Sequence, residues 1–177
     1  MIASKRFLVC LTLLSALGAP AARADSPLSV IFGYGGLYQT RQDVDVAAHV
    51  VAIGAAGRLS DEMYSIFDIQ FGIDQEYSDF CHLSLSFMTG YAVGPEAFTF
   101  WIGGGARYAL DGYPDPSGAL DIGLGAGFLS MFGGAVGLGA DFRGWLGLNW
   151  YSDRQSDDIS FLIEPYFEWR AYVAVGF

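Results

Sequence analysis

A histidine and a serine stand two residues apart in this chain, at His82 and Ser84. Side chains alternate between the two faces of a β-strand, so residues two apart share a face. An imidazole beside a hydroxyl is a pairing of general base and nucleophile, which a carboxylate completes by orienting the imidazole. The spacing therefore indicates either acyl-transfer chemistry or two polar side chains that fill a wet interior.

Charged side chains form a second set of candidate functional residues, because they interrupt apolar segments at alternating positions. Buried ions persist only when they are paired and hydrogen-bonded, and a guanidinium can hold carboxylates through two parallel hydrogen bonds. Within one closed interior, these residues predict an ion-pair network that either fills the space or carries protons or ions. They are Asp68, Arg107, Asp121, Asp141, Arg143, Glu164, Glu168 and Arg170.

Acidic residues also cluster in polar connecting segments. Carboxylate oxygens suit Ca²⁺ or Mg²⁺, but the Asp-x-Asp-x-Asp-Gly spacing of an EF-hand loop is absent. The sequence predicts solvated loops with no metal site of their own and no cofactor; divalent cations could still bridge them to the phosphates of lipopolysaccharide. The residues concerned are Asp111, Asp115, Asp153, Asp157 and Asp158.

Period-2 alternation of apolar and polar residues is the main structural signal of the chain. In its last segment Phe177 and the alternate residues before it are apolar, whereas Glu168 and Arg170 lie on the other face. Alternation of this kind predicts strands with two different environments. Polar, acidic connections alternate with shorter turns, which is typical of membrane barrels. The predicted strands are 28–39, 45–55, 63–73, 81–92, 97–109, 119–129, 134–148 and 160–177.

The sizes of the residues on the two faces predict which face points inward. The apolar face carries many large side chains and the polar face many glycines, and eight strands leave an interior that side chains just fill. An arginine facing lipid would cost about 2–4 kcal/mol near the bilayer midplane. We therefore expect an eight-stranded antiparallel up-and-down transmembrane β-barrel with a polar, largely plugged interior. The first two strands alternate less regularly, and His49, beside Val50 and Val51, is not assigned to either face.

The first 24 residues have the parts of a secretory signal peptide. Lys5 and Arg6 precede an apolar run, and Ala22-Arg23-Ala24 offers a cleavage site. We expect 1–24 to be removed and 25–177 to form one barrel domain. Cys81 would then be the only cysteine, which excludes an internal disulfide.

The charge of the remaining chain limits its partners. Three of the nine Lys and Arg lie in 1–24, so six basic residues face nineteen Asp and Glu and the net charge is −13. Phosphate binding by a nucleic-acid-binding protein needs a basic face. Nucleic acid is therefore excluded as a partner.

The terminal strand resembles the assembly signal of bacterial outer-membrane barrels, through Trp169, Val173, Val175 and the final Phe177. In length, strand rhythm and charged lumen, the chain resembles small barrels of the OmpA/OmpX type. The resemblance implies a monomer in the cell outer membrane, assembled by the barrel assembly machinery and surrounded by lipopolysaccharide. It implies a structural or surface-interaction role through the acidic extracellular loops, without enzymatic activity.

Three alternatives remain open. The His82-Leu83-Ser84 segment resembles the His-x-Ser pair of barrel-embedded lipid A deacylases, although Leu85 replaces the asparagine that follows the serine in that family. A lipid A-modifying acyl hydrolase is thus one alternative. A narrow ion or proton channel is the second, and a soluble periplasmic lipocalin-like carrier is the third.

Overall fold

Eight strands make up the structure, a computed structural model that describes residues 28–41, 44–74, 81–95, 97–111, 117–133, 135–152 and 159–177. The predicted signal peptide lies outside these residues. The strands are β1 (Leu28–Arg41), β2 (Val44–Ser60), β3 (Met63–Asp74), β4 (Cys81–Val93), β5 (Phe98–Asp111), β6 (Ser117–Phe132), β7 (Val136–Ser152) and β8 (Ile159–Gly176).

Each strand pairs antiparallel with the next, and β8 pairs with β1 to close the barrel. The register can be followed once around the sheet. Starting at Ser29, successive partners lead across all eight strands to Tyr166, which pairs with Gln39, ten residues further along β1. This stagger requires the strands to tilt against the barrel axis, typically by about 35–45°.

The predicted eight-stranded antiparallel barrel is confirmed, and the strands are longer than predicted. β2 continues to Ser60 through residues expected in a turn, and β7 continues to Ser152. Arg58 pairs with Tyr64, and an irregularity in register follows before Ser60 pairs with Met63. Alternation of apolar residues fades at these ends, but the backbone ladder continues because each strand still has a partner. Among the described residues, no helix has the length and apolar character needed to cross a bilayer.

The barrel is apolar outside and charged inside. On the outer face Leu124 is 74% exposed and Phe142 is 70% exposed, whereas Arg107 and Arg170 in the lumen are each 1% exposed. A water-soluble barrel has the opposite arrangement. The predicted polar interior is therefore confirmed.

Glycines on the inner face make room for large side chains. At Gly123 a Cβ would collide with the ring of Trp145, and at Gly139 with the ring of Tyr172. Both rings are buried. A glycine opposite an aromatic residue thus lets a narrow lumen hold bulky groups at a high packing density.

The lumen is layered along its axis. An apolar layer lies toward the end with the short turns, the charged residues occupy the middle, and further polar residues lie toward the end with the long connections. The apolar layer includes Ile31, Tyr64, Ile66, Trp101, Leu129 and Tyr172.

Candidate functional site

Asp68 of β3 lies at the centre of the charged layer and is fully buried. Its Oδ2 is 3.0 Å from Nη2 of Arg143 and 2.8 Å from Nη1 of Arg170. Its Oδ1 accepts hydrogen bonds from the Ser86 hydroxyl at 2.9 Å and from Nε2 of Gln70 at 2.8 Å. One carboxylate thus joins two arginines from β7 and β8 to polar groups of β3 and β4.

Arg170 lies against three carboxylates, those of Asp68, Asp141 and Glu168. Its Nε and Nη2 donate to the two carboxylate oxygens of Asp141, at 3.1 and 2.7 Å. Nε also lies 3.2 Å from Oε1 of Glu168. A guanidinium held by two parallel hydrogen bonds has a fixed orientation as well as a paired charge.

Arg143 shares the carboxylates of the same cluster. Its Nη2 donates to Oδ2 of Asp141 at 3.2 Å, and its Nη1 donates to the Ser86 hydroxyl at 2.7 Å. Because Asp68 and Asp141 each contact both Arg143 and Arg170, the four charges form one unit rather than two separate pairs.

Arg107 occupies a neighbouring position in the lumen. Its Nε donates to Oδ2 of Asp121, and its Nη1 lies 3.8 Å from Oε2 of Glu168. The guanidinium carbon sits 5.2 Å from the ring centroid of Trp145 and 4.8 Å from that of Tyr166. Cation–π contacts of this kind strengthen when the cation is desolvated. Glu168 connects this group to the other two arginines.

Strand register explains which of these residues meet. Arg107 pairs with Asp121, Asp141 with Arg170, and Arg143 with Glu168 as direct neighbours across strands. Contacts from Asp68 to Arg143 and Arg170 instead cross the lumen, because β3 does not pair with β7 or β8. Seven of the eight charged residues selected from the sequence therefore form one connected network.

The eighth residue, Glu164, lies further toward the long connections. It is buried on the inner face of β8 and pairs with Gly147 of β7. It lies four positions before Glu168 along the strand. It belongs to the polar layer of the lumen at the end with the long connections.

His82 and Ser84 also face the lumen and are each 1% exposed. Nδ1 of His82 lies 2.7 Å from Oδ1 of Asp111, whereas the Ser84 hydroxyl donates to Oε1 of Gln70 at 3.3 Å. The serine is thus hydrogen-bonded to an amide. Both side chains point away from the lipid-facing surface where an acyl substrate would lie.

Sequence analysis missed the His82–Asp111 contact, because Asp111 was assigned to an acidic loop. It is the last residue of β5, and the two residues are direct partners across β4 and β5. A longer β5 in the prediction would have revealed the contact. The other acidic residues considered as cation ligands, at positions 115, 153, 157 and 158, lie outside the described residues.

The buried charges of the lumen do not balance. Within the described ranges six carboxylates are buried against three arginines, apart from His82. Over the same part of the chain, no group of three or more His, Cys, Asp or Glu side chains is placed to hold a metal ion.

The residues selected as an assembly signal lie at the end of β8. Trp169 and Val173 face outward, and Phe177 is 84% exposed. The backbone N–H of Phe177 donates to the carbonyl of Leu28 at 3.1 Å, which extends the β1–β8 seam to the last residue. Val175 is half-buried, and the role of these residues in assembly stays a prediction.

A closed, eight-stranded antiparallel barrel with an apolar exterior and a charged lumen is the fold of a small transmembrane β-barrel. No protein-family model matches the chain, and no curated protein matches it. Among solved structures it is similar to the crystal structure of Neisserial surface protein A, with a TM-score of 0.63 and 15% sequence identity over 85% of this chain and 97% of that one. A de novo designed transmembrane β-barrel also matches, with a TM-score of 0.45 and 16% identity over 85% of this chain and 95% of the design.

Proposed function

We propose that this chain is an integral protein of the bacterial outer membrane with a structural or surface-interaction role, exerted through its acidic extracellular loops. The observation that carries the proposal is the inverted polarity of the barrel. Charged residues fill the lumen, whereas large apolar side chains such as Leu124 and Phe142 stand exposed on the outside. In water this belt would be a large aggregation-prone surface. In a bilayer it is the surface that contacts acyl chains.

The same polarity argues against a soluble lipocalin-like carrier. A carrier of apolar ligands needs an apolar cavity, and the middle of this lumen is occupied by Arg107, Arg143 and Arg170 with their carboxylates. The ion-pair network supports a structural role, since paired and hydrogen-bonded ions fix the positions of six strands around them.

The apolar layer argues against a conducting channel. Tyr64, Trp101 and Leu129 are buried in the lumen near the short-turn end, beyond the charged layer. An ion crossing the lumen would have to lose most of its hydration there, because large, mostly apolar side chains fill this layer. We propose a lumen that is closed at this end. No conductance in planar bilayers is the expected result.

The geometry around His82 gives little support to an acyl-hydrolase function. Asp111 is placed to orient the imidazole, but the Ser84 hydroxyl donates its hydrogen bond to Gln70, and a lipid substrate would have to enter the lumen. We propose that His82 and Ser84 are polar side chains that fill the lumen near the long connections. The mass of lipid A should be the same with the wild-type protein and with Ser84→Ala.

The remaining parts of the proposal concern partners. The long connections are acidic, so we propose contact with lipopolysaccharide phosphates through divalent cations. The barrel assembly machinery would insert the chain after export and removal of residues 1–24. We propose a monomer with no nucleic-acid partner.

The proposal is tested by membrane fractionation combined with gel mobility. The protein should be recovered with the outer membrane, resist extraction by carbonate or urea, and migrate differently before and after boiling because a closed barrel resists detergent. Protease added to intact cells should cut within the long connections and leave the barrel. Recovery as a folded, detergent-free soluble protein would refute the proposal.

A further inference from the structure

His49 of β2 faces the outside of the barrel. Its neighbour Val50 is fully buried, and its cross-strand partner Ile73 is 64% exposed on the outer face. Among the strand residues whose side chains the structure describes, His49 is the only histidine or charged residue that points outward. A polar, ionisable ring on a lipid-facing surface is energetically unfavourable unless it meets polar groups.

Two aromatic residues with polar atoms stand beside His49. The Tyr34 hydroxyl and Nδ1 of His49 share a hydrogen bond, and their rings stack with centroids 5.7 Å apart at 19°. Gly36 pairs with His49 on one side and with Trp169 on the other. A Cβ at Gly36 would lie 2.7 Å from Nε1 of Trp169, so the indole leans over this glycine toward β2.

These residues form a polar cluster on an otherwise apolar surface: Tyr34, His49 and Trp169 around Gly36. An imidazole, a phenol and an indole N–H can together donate to and accept from an oxygen-rich group. Because Gly36 has no side chain, the indole of Trp169 can lie over the strand at the centre of the cluster.

The height of His49 in the barrel indicates what it meets. It lies eleven residues from Ser60, the last residue of β2 at the short-turn end. With a rise of about 3.3 Å per residue and a tilt of about 40°, each residue climbs about 2.5 Å, which places His49 about 27 Å above that end. The apolar band of such barrels is about 25 Å tall. His49 therefore lies where acyl chains meet head groups in the outer leaflet.

The residues around the cluster suit a lipid whose chains point toward the bilayer midplane. Val51 and Phe71 lie on the outer face one step nearer the midplane than His49 and Ile73, and both are exposed. Acyl chains could lie against them while an oxygen of the head-group boundary reaches the ring of His49. The polar end of the ligand then points toward the long connections and its chains toward the midplane.

We propose that Tyr34, His49 and Trp169 bind one outer-leaflet glycolipid through an ester, amide, hydroxyl or phosphate oxygen at the boundary of its acyl chains and head group. This inference rests on the proposed residence in the outer membrane. It adds a defined lipid site on the barrel wall, separate from the acidic loops.

Titration of the full mature barrel in phosphatidylethanolamine nanodiscs tests the site. Purified rough lipopolysaccharide is the probe, and native mass spectrometry counts the lipids retained by each barrel. His49→Leu keeps the surface apolar, and Tyr34→Phe removes one hydroxyl. Tyr108→Leu is the matched control, because Tyr108 is outward-facing on β5, ten residues from Phe98, and therefore at a similar height.

We expect His49→Leu to weaken lipopolysaccharide retention about threefold to tenfold, the range of one or two hydrogen bonds. Tyr34→Phe should act in the same direction, and Tyr108→Leu should match the wild type. Equal retention by all four proteins would overturn the inference. Loss of a dimer by His49→Leu without loss of lipid would also overturn it, by assigning the cluster to a second copy of the chain.

Two further outcomes are distinguishable. If His49→Leu does not fold, Tyr34→Phe decides the result, because it changes only one atom group on the surface. A barrel that never reaches the outer membrane contradicts the proposed function. A barrel that is recovered there with unchanged lipid retention contradicts only the lipid site.

Discussion

Arg170 and Asp141 are direct partners across β7 and β8 and are joined by two hydrogen bonds, of 3.1 and 2.7 Å, in the middle of the lumen. Removal of one partner would leave an uncompensated buried charge. We predict that Arg170→Met lowers the free energy of unfolding in detergent by about 3–5 kcal/mol.

Denaturant titration of the purified barrel measures this effect. The double variant Arg170→Met with Asp141→Leu should recover part of the loss, since apolar groups of similar volume can replace a buried pair. Glu62→Gln, in an exposed turn, is the control and should have little effect. An Arg170→Met barrel as stable as the wild type would contradict the network.

Gly123 and Gly144 lie on adjacent strands and face opposite ways. A Cβ at Gly123 would collide with Trp145 in the lumen, whereas at Gly144 the nearest side-chain atom is on Phe167, 3.9 Å away. Gly123→Val should therefore destabilise the barrel by about 1–3 kcal/mol through overpacking. Gly144→Val should be tolerated, and the difference should appear in the denaturant midpoints of the two variants.

Phe142 reports directly on the medium around the barrel, because its side chain points away from the lumen. Phe142→Arg should lower stability in lipid vesicles by about 2–4 kcal/mol if this surface faces hydrocarbon. Phe142→Leu is the control and should remain close to wild type. If the arginine variant were more soluble and equally stable without lipid, the outer face would have to contact water.

Deletion of Phe177 distinguishes an effect on barrel folding from an effect on delivery of the barrel to the outer membrane. Deletion of Phe177 should reduce the amount of barrel in the outer membrane, because the terminal aromatic is predicted to be part of the assembly signal. Refolding of the same variant in detergent should change little, since the side chain is almost fully exposed. Normal delivery in cells would show that this residue is dispensable for recognition.

Chelation tests the predicted bridge between acidic loops and lipopolysaccharide. If divalent cations join carboxylates to lipid phosphates, EDTA should release part of the bound lipopolysaccharide and Mg²⁺ should restore it. The lipid count by mass spectrometry gives the readout. The same count before and after EDTA would argue against cation bridges.

The sequence predicted the barrel well because two signals repeat along it. Alternation shows which residues share a face, and the glycines opposite large residues show which face is inside. Together, the two signals predicted that Asp68, Arg143 and Arg170 face the lumen. Their mutual contacts were not predictable, because a contact across the lumen depends on the ten-residue stagger that appears only once the sheet is closed.

Two other differences have local causes. His49 could not be assigned to a face because its neighbours do not alternate between polar and apolar. The residues around it, Ala47, Ala48, Val50 and Val51, are all apolar. Asp111 was placed in a loop because the glycine and prolines after it dominate the pattern, although the ladder to β4 includes it.

The seam between β1 and β8 has a kinetic consequence. Gln39 must pair with Tyr166, and Ser29 with Gly176, before the free edges of β1 and β8 are covered. Such distant pairings are slow to form, and an unclosed sheet exposes edges that invite aggregation. The barrel therefore cannot close until β8 has been synthesised, and β1 keeps one uncovered edge until then.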